Sequence, residues 1–515
     1  MALRTLSAAS LMVALSWMTA AAQDAKAVVA AAAKAMGTET LNSITYSGTA
    51  RNGAFGQSKS IGNPMGPVNL TQITQYTRTI NFEKGEPTAL VSRAAGPTQP
   101  PTVAGVPAPM PGVLNQNVTS QQMSAAWNFA LNVWMTPWGF VKGAAAAVAD
   151  SSFSHKSQGG QSVLSYSPPA LKSPSGQPYR VTGYLNGQNL VTKVETHVEN
   201  AVAGDLLVEF EYSNYQNMNG VQVPTRIVQR QAGMPTFEAN ITAATPNPSN
   251  LTQLLTVPPA PPRGGGAGGP AAAAPPAGAP GGGRGAAPAG GAPQAAAPAV
   301  EKLGDGAFKI GGNYAALAVD MGDHILVVES GGSDQRGLEV MAAAKQAIPG
   351  KPVRFVVNSH PHFDHASGLA AAVAEGATIL THRNNEQVLE RLLSGPRTLT
   401  NDSLSKVAKR RTDVVQGIGD RDVRKGTNGK VVELHHIPNE HSDGMFAIYL
   451  PAEKVLYTAD ITVVNPNPGQ LGTVKSLVQA LDKLTLDYNT FIPAHPPNPD
   501  RVLTRADVMA AVATK

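Results

Sequence analysis

The chain of 515 residues contains no cysteine. That excludes disulfides, thiolate metal ligands and lipid attachment through an N-terminal cysteine, so any metal site has to be built from His, Asp and Glu. Charge is also scarce. Only 15 % of residues are Asp, Glu, Lys or Arg, and the formal excess is +5. No block of Lys and Arg interleaved with aromatics occurs, which argues against a nucleic-acid partner. Apolar runs are short, and none reaches the ~20 residues of a membrane-spanning helix.

What the chain does have is segregated along its length. Arg4, the apolar stretch Leu11–Met18 and the small residues Ala20, Ala21 and Ala22 read as a signal peptide over 1–22, cleaved before Gln23. The expected location is the periplasm or the outside of the cell. From Pro258 to Ala299 the chain holds only Pro, Ala and Gly apart from Arg263, Arg284 and Gln294. No large apolar side chain is available there to offset ordering entropy, so 257–299 is expected to be a disordered linker. Collagen is excluded because Gly does not recur at every third position. A linker of this length suggests that the parts on either side, 24–256 and 300–515, need not share one rigid site.

The first part is patterned with period two. Leu190, Thr192, Val194, Thr196 and Val198 alternate with Lys193, Glu195, His197 and Glu199, and Val208, Phe210 and Tyr212 alternate with Glu209 and Glu211. Asn219-Gly220 stands between two such runs and signals a hairpin. Ala25–Met36 reads as a helix, and the Pro-rich stretches Thr98–Gly112 and Ser167–Gln177 read as loops. A mainly antiparallel β domain with one polar face is expected, of unknown role. In export, early helix and successive strands it resembles periplasmic lipoprotein carriers, which implies a lipid or hydrophobic ligand.

After the linker the pattern becomes α/β. Tyr314–Val319 and His324–Glu329 read as paired strands, Leu338–Ala347 as a helix and Val353–Asn358 as an apolar strand. Ser367–Ala374 is helical in composition. Ala377–Thr381, Lys430–His435, Met445–Leu450 and Lys454–Thr458 read as strands, and Thr473–Leu486 has a helical apolar face. Directly after the Val353–Asn358 strand begins the run His360-Pro361-His362-Phe363-Asp364-His365. The whole chain has 11 His, so this clustering at a strand end is a metal-ligand signature of the N/O type that suits zinc.

This HxHxDH run resembles the second motif of the metallo-β-lactamase superfamily. Other matches follow in the family's order: His441 in Glu440-His441-Ser442-Asp443-Gly444, Asp460 in Tyr457-Thr458-Ala459-Asp460, and His495 in Ile492-Pro493-Ala494-His495. The resemblance implies an αββα sandwich with two zinc ions, with iron or manganese as other occupants. His360, His362 and His441 would hold one ion. Asp364, His365 and His495 would hold the other, and Asp460 would bridge. Asp364 would also orient the nucleophile or carry a proton.

Two features depart from the family pattern. Glu329 stands where the family often has Asp, as an outer carboxylate supporting the ligands, and Ala494 and Pro496 flank His495 in place of glycines. A bridging Asp460 resembles type II glyoxalases, lactonases and phosphodiesterases more than β-lactamases. The expected activity is therefore hydrolysis of an ester, thioester, lactone or similar bond in a small molecule. The alternatives are β-lactam hydrolysis, a mononuclear-iron sulfur dioxygenase, and a lipid-binding protein whose metal domain is a binding module. His155, His197, His324 and His382 are expected to be structural. His435 or His436 could compete with His441. The basic stretch Arg383–Asp413, with Arg391, Lys406, Lys409, Arg410 and Arg411, either covers the pocket or is a solvated helical face.

Overall fold

The computed structural model describes residues 24–513, except 67–69, 84–87, 96–112, 119–130, 257–296, 465–470 and positions 170, 440, 462 and 498. The expected signal segment, nearly all of the linker, the 98–112 loop and Glu440 lie outside the described residues.

The first part is one 11-stranded antiparallel sheet. Its strands are β1 (Ser43–Asn52), β2 (Thr71–Asn81), β3 (Thr88–Ala95), β4 (Val113–Val118), β5 (Ser154–Gln158), β6 (Gln161–Tyr166), β7 (Val181–Leu185), β8 (Val191–Asn200), β9 (Gly204–Met218), β10 (Val221–Gln231) and β11 (Met234–Pro246). Strands consecutive in sequence are neighbours in space except β4 and β5, which form the two edges, and β1 pairs with β11 in the middle of the sheet. The β9–β10 turn is Asn219-Gly220, both with positive φ (54° and 85°), as a two-residue hairpin requires.

Alternation decides the two faces. Val194, Val198, Val208, Phe210 and Tyr212 are buried under the 24–36 helix and helix Pro137–Ala147, which contribute Ala32, Met36, Trp138, Phe140 and Ala144 to the same core. The opposite face is a polar ladder: Lys193 pairs with Glu195 (2.6 Å) and Glu209 (3.3 Å), and Arg230 pairs with Glu211 (2.9 Å).

The second part holds two facing sheets. One has the order β12 (Val300–Gly304), β13 (Ala307–Ile310), β14 (Ala316–Asp320), β15 (Ile325–Val328), β16 (Val353–Val357), β17 (Thr378–His382) and β18 (Val415–Ile418), parallel from β15 onward. The other runs β19 (Arg421–Lys425), β20 (Val431–His436), β21 (Phe446–Leu450), β22 (Val455–Thr458), β23 (Thr490–Pro493) and β24 (Leu503–Thr504).

Both inner strands are apolar on two faces, so consecutive residues serve different cores. In β14 and β15, Leu317, Val319, Leu326 and Val328 meet Phe446, Ile448, Leu450 and Tyr457 between the sheets. Ala316, Ala318, Ile325 and Val327 face helices Asp334–Ala347 and Leu369–Ala374. Ala447, Tyr449, Leu456 and Phe491 face helices Leu471–Leu484 and Arg505–Ala513. The result is the expected αββα sandwich. Strands β18 and β19 had no signal in the sequence reading; they are short, and β19 alternates charged residues at exposed positions. Among the described residues no helix is long and apolar enough to cross a membrane.

The long linker does not leave the two parts independent. A single buried cluster runs from the β-domain core into the helical layer of the sandwich. Arg397, only 5 % exposed, donates to the carbonyls of Ala201 and Val202 and pairs with Asp402. The Asp205 carboxylate accepts from the Thr398 and Leu399 amides at 2.9 and 2.8 Å. These polar contacts, buried at Arg397, fix an orientation that apolar packing alone would leave loose.

Candidate metal centre

Four strand ends deliver the candidate ligands to one place. His360, His362, Asp364 and His365 follow β16, His441 lies between β20 and β21, Asp460 follows β22 and His495 follows β23. These are the C-terminal ends of β16, β22 and β23, where backbone leaves the sheet and side chains can converge.

The sequence candidates fall into two groups that could each hold an ion, His360, His362, His441 and Asp460 in one and Asp364, His365, His495 and Asp460 in the other. Asp460 belongs to both. Its Oδ2 lies 3.0 Å from His441 Nε2 and 3.4 Å from His360 Nε2, while Oδ1 lies 2.6 Å from His365 Nε2 and 2.7 Å from His495 Nε2. Asp364 Oδ2 stands 3.5 Å from His365 and 3.9 Å from His495. Asp460 has φ +50°, a conformation that few non-glycine residues adopt away from constrained sites.

Each buried ring is held by the nitrogen that faces away from the cluster. His365 Nδ1 lies 3.0 Å from Glu329 Oε2, and His362 Nε2 lies 3.1 Å from the Ser58 carbonyl. His360 Nδ1 lies 3.3 Å from Ser359 Oγ. Outer partners of this kind select the tautomer that leaves a lone pair pointing inward. Glu329 is completely satisfied: it accepts from Ser359 Oγ at 2.6 Å and from the Ser330 amide at 3.0 Å. The longer side chain at this position thus reaches both the second-motif loop and a candidate ligand.

The donor set fits a metal. His362 Nδ1, His365 Nε2 and Asp460 Oδ1 are buried without a hydrogen-bond partner, although the last two approach closely. Unpaired lone pairs in a buried site are costly unless a cation meets them. Charge points the same way. Burial, reinforced by His365, pushes His360 down to about 4, and burial with neighbouring imidazoles pushes His362 well below the usual histidine range. Burial would raise Asp460, but His365 and His360 outweigh it and hold the carboxyl well below the carboxylate range. His365 is the converse: burial opposes its charge, yet Asp460 and Glu329 raise it well above the ordinary value.

Other histidines stay out of the cluster. His435 turns to Glu433 (2.8 Å), and His436 stacks on His382 with ring centres 4.4 Å apart, so neither displaces His441. His324 bonds Asp323, His155 approaches Asp24, and His197 is exposed. Arg410 and Arg411 do not reach the site: Arg410 donates to the Gly395 carbonyl and Arg411 to the Gly376 and Ala377 carbonyls, at the opposite end of β17. Sequence reading missed Tyr314, whose ring lies 4.8 Å from that of His495, and Asn439, whose Oδ1 accepts from the His441 amide at 2.8 Å. It also missed Gln57, whose Nε2 donates to Asp364 Oδ1 at 2.5 Å.

Residues 311–495 match the family model described as Metallo-beta-lactamase superfamily. The 2,4-dinitroanisole O-demethylase subunit alpha of Nocardioides sp. (strain JS1661) is 24% identical over 188 residues, which are 36% of this chain and 53% of that protein. The chain thus spans about half the length of this curated relative. Among solved structures, the metallo-beta-lactamase from Pontibacter korlensis shares 16% identity, with a TM-score of 0.32 over 42% of this chain and 97% of that one. The metallo-beta-lactamase from Hirschia baltica shares 18%, with a TM-score of 0.31 over 42% and 96%. The matched stretch begins before Glu329 and ends on His495, so it takes in every ligand candidate, and this C-terminal domain belongs to the metallo-β-lactamase superfamily.

Proposed function

We propose that the protein is an exported hydrolase that uses two zinc ions to cleave an ester, thioester, lactone or similar bond in a small molecule. The observation that carries this reading is Asp460, each of whose oxygens faces a different pair of histidines. His360, His362 and His441 would hold one ion and Asp364, His365 and His495 the other, with Asp460 shared. When bound, such a pair supplies Lewis acidity that brings water ionisation toward neutral pH and polarises the scissile carbonyl.

The residues of the chain divide the remaining work. His360, His362 and His365 form a buried floor, whereas His441 and Asp364 are each 28% exposed and His495 38%. Substrate therefore approaches over His441, Asp364 and His495. Asp364 is the carboxylate at this mouth, placed to orient water and to take its proton. The Tyr314 ring, edge-on to His365 and tilted against His495, walls one side against bulk water. No Ser, Cys or Lys nucleophile is needed.

The test is metal content of the purified full chain beside a His360→Ala, His362→Ala variant, followed by a panel of chromogenic esters, thioesters and lactones. Two zinc ions per chain with turnover abolished in the variant would support the reading. A wild type that takes up no metal, or turnover that survives loss of the histidines, would refute it.

A further inference from the structure

Between β1 and β2 the chain leaves the β-domain sheet and crosses to the metal cluster. Phe55 is fully buried, and its ring meets that of Phe363 edge-on at 5.1 Å. The Gly56 carbonyl accepts from the Phe363 amide at 2.8 Å. Gly56 has φ +75°, and a Cβ there would lie 2.4 Å from the Phe363 ring, so both backbone conformation and space demand glycine. Phe363 sits between His362 and Asp364, so this anchor delivers the next loop residues to the ligands themselves. The Ser58 carbonyl lies against His362 Nε2, and the Gln57 amide donates to Asp364 Oδ1. One residue later the Lys59 carbonyl accepts from the Asp443 amide at 2.6 Å, two positions after His441.

We propose that the N-terminal β domain is a working part of the metal centre, with its 55–59 loop fixing the His362 tautomer and Gln57 acting as a positioning residue for Asp364. This rests on the dinuclear reading above. A half-exposed carboxylate has two equivalent oxygens and a free torsion. Occupying Oδ1 with a neutral donor leaves Oδ2 turned toward His365 and His495. The amide does this without adding charge: a lysine here would compete with the ion, and a glutamate would repel Asp364. His362 gains a parallel effect from a backbone carbonyl, since donation from Nε2 leaves Nδ1 free of its proton and buried toward the cluster. Outer partners of this sort are worth about 10–100-fold in metal affinity.

The experiment is a zinc titration of the metal-stripped full chain against a chromophoric chelator, with wild type, Gln57→Ala and Gln57→Leu compared at equal helix and sheet content by circular dichroism. The leucine variant keeps the volume and removes the side-chain amide, so it decides the matter if the alanine variant packs poorly. The expected result is two ions for wild type and an affinity for the Asp364 site about 10-fold weaker or more in both variants, with the His360 site unchanged. Equal affinities in all three proteins would overturn the role of Gln57 and leave the dinuclear reading standing. A wild type that binds no zinc would overturn both.

Discussion

Glu329 Oε2 lies 3.0 Å from His365 Nδ1, and neither side chain is exposed. The residue holding this contact has φ +73°, in the left-handed region that glycine normally fills. Strain of this kind persists only where surroundings over-determine it. Here they do: the Glu329 amide donates to the Val357 carbonyl, and the carboxylate is gripped by Ser330, Ser359 and His365.

Glu329→Gln tests that contact. Glutamine keeps the shape but can accept at only one terminal atom. Ser359 and His365 share Oε2 and the Ser330 amide uses Oε1, so either that pair or the Ser330 amide loses its acceptor. Zinc affinity measured by chelator competition is expected to fall about 10–100-fold. Undiminished affinity would mean that the ring orientation is set by packing alone.

The double charge reversal Arg410→Glu, Arg411→Glu is expected to leave KM unchanged for any ester or lactone the wild type hydrolyses. Both side chains donate to carbonyls remote from the cluster, Arg411 at the start of β17 and Arg410 at Gly395. A raised KM at constant metal content would return the 383–413 stretch to the pocket wall.

Arg397→Ala is expected to destabilise the protein by about 3–5 kcal/mol, because it strands the buried Asp402 carboxylate and two carbonyls of the β domain. Urea unfolding followed by tryptophan fluorescence measures this. Arg397→Lys should recover only part of the loss, since one ammonium cannot reproduce the planar fork. A variant as stable as wild type would show that the two parts are held by apolar contacts alone.

Glu199 gives a pH test in the β domain. Burial raises its carboxyl pKa, against the opposing hydrogen bond from Tyr179. The folded chain therefore binds this proton more tightly than the unfolded one. Its contribution to stability is full below the unfolded value and is lost as pH rises through the folded one. Glu199→Gln should raise Tm near about pH 7, with the gain shrinking as pH approaches about 4. A gain that is constant with pH would assign the effect to packing.

Most of the second part was legible because its signals are local. The apolar stretch of β16 ends one residue before Asn358, so the histidines had to emerge at a strand end. The helical face of Leu477 and Leu481 needed no partner to be recognised. The split of the 363–374 region into two short helices, and the pairing of β18 with β17, left no such trace. Four residues in β18 are too few for a period to register.

Composition and periodicity by themselves determined the donor atoms of any metal site, since cysteine is absent, and the buried face of the longer alternating strands such as β8 and β9. Tertiary structure alone decided that Gln57 meets Asp364, 307 residues away, that Ser58 holds His362, and that Arg397 is buried between the two parts. Periodicity reports the face an element buries, because that is set by its own backbone geometry. Which two buried or polar faces then meet depends on shape and hydrogen-bond complementarity between surfaces built from distant segments, and no residue spacing encodes it.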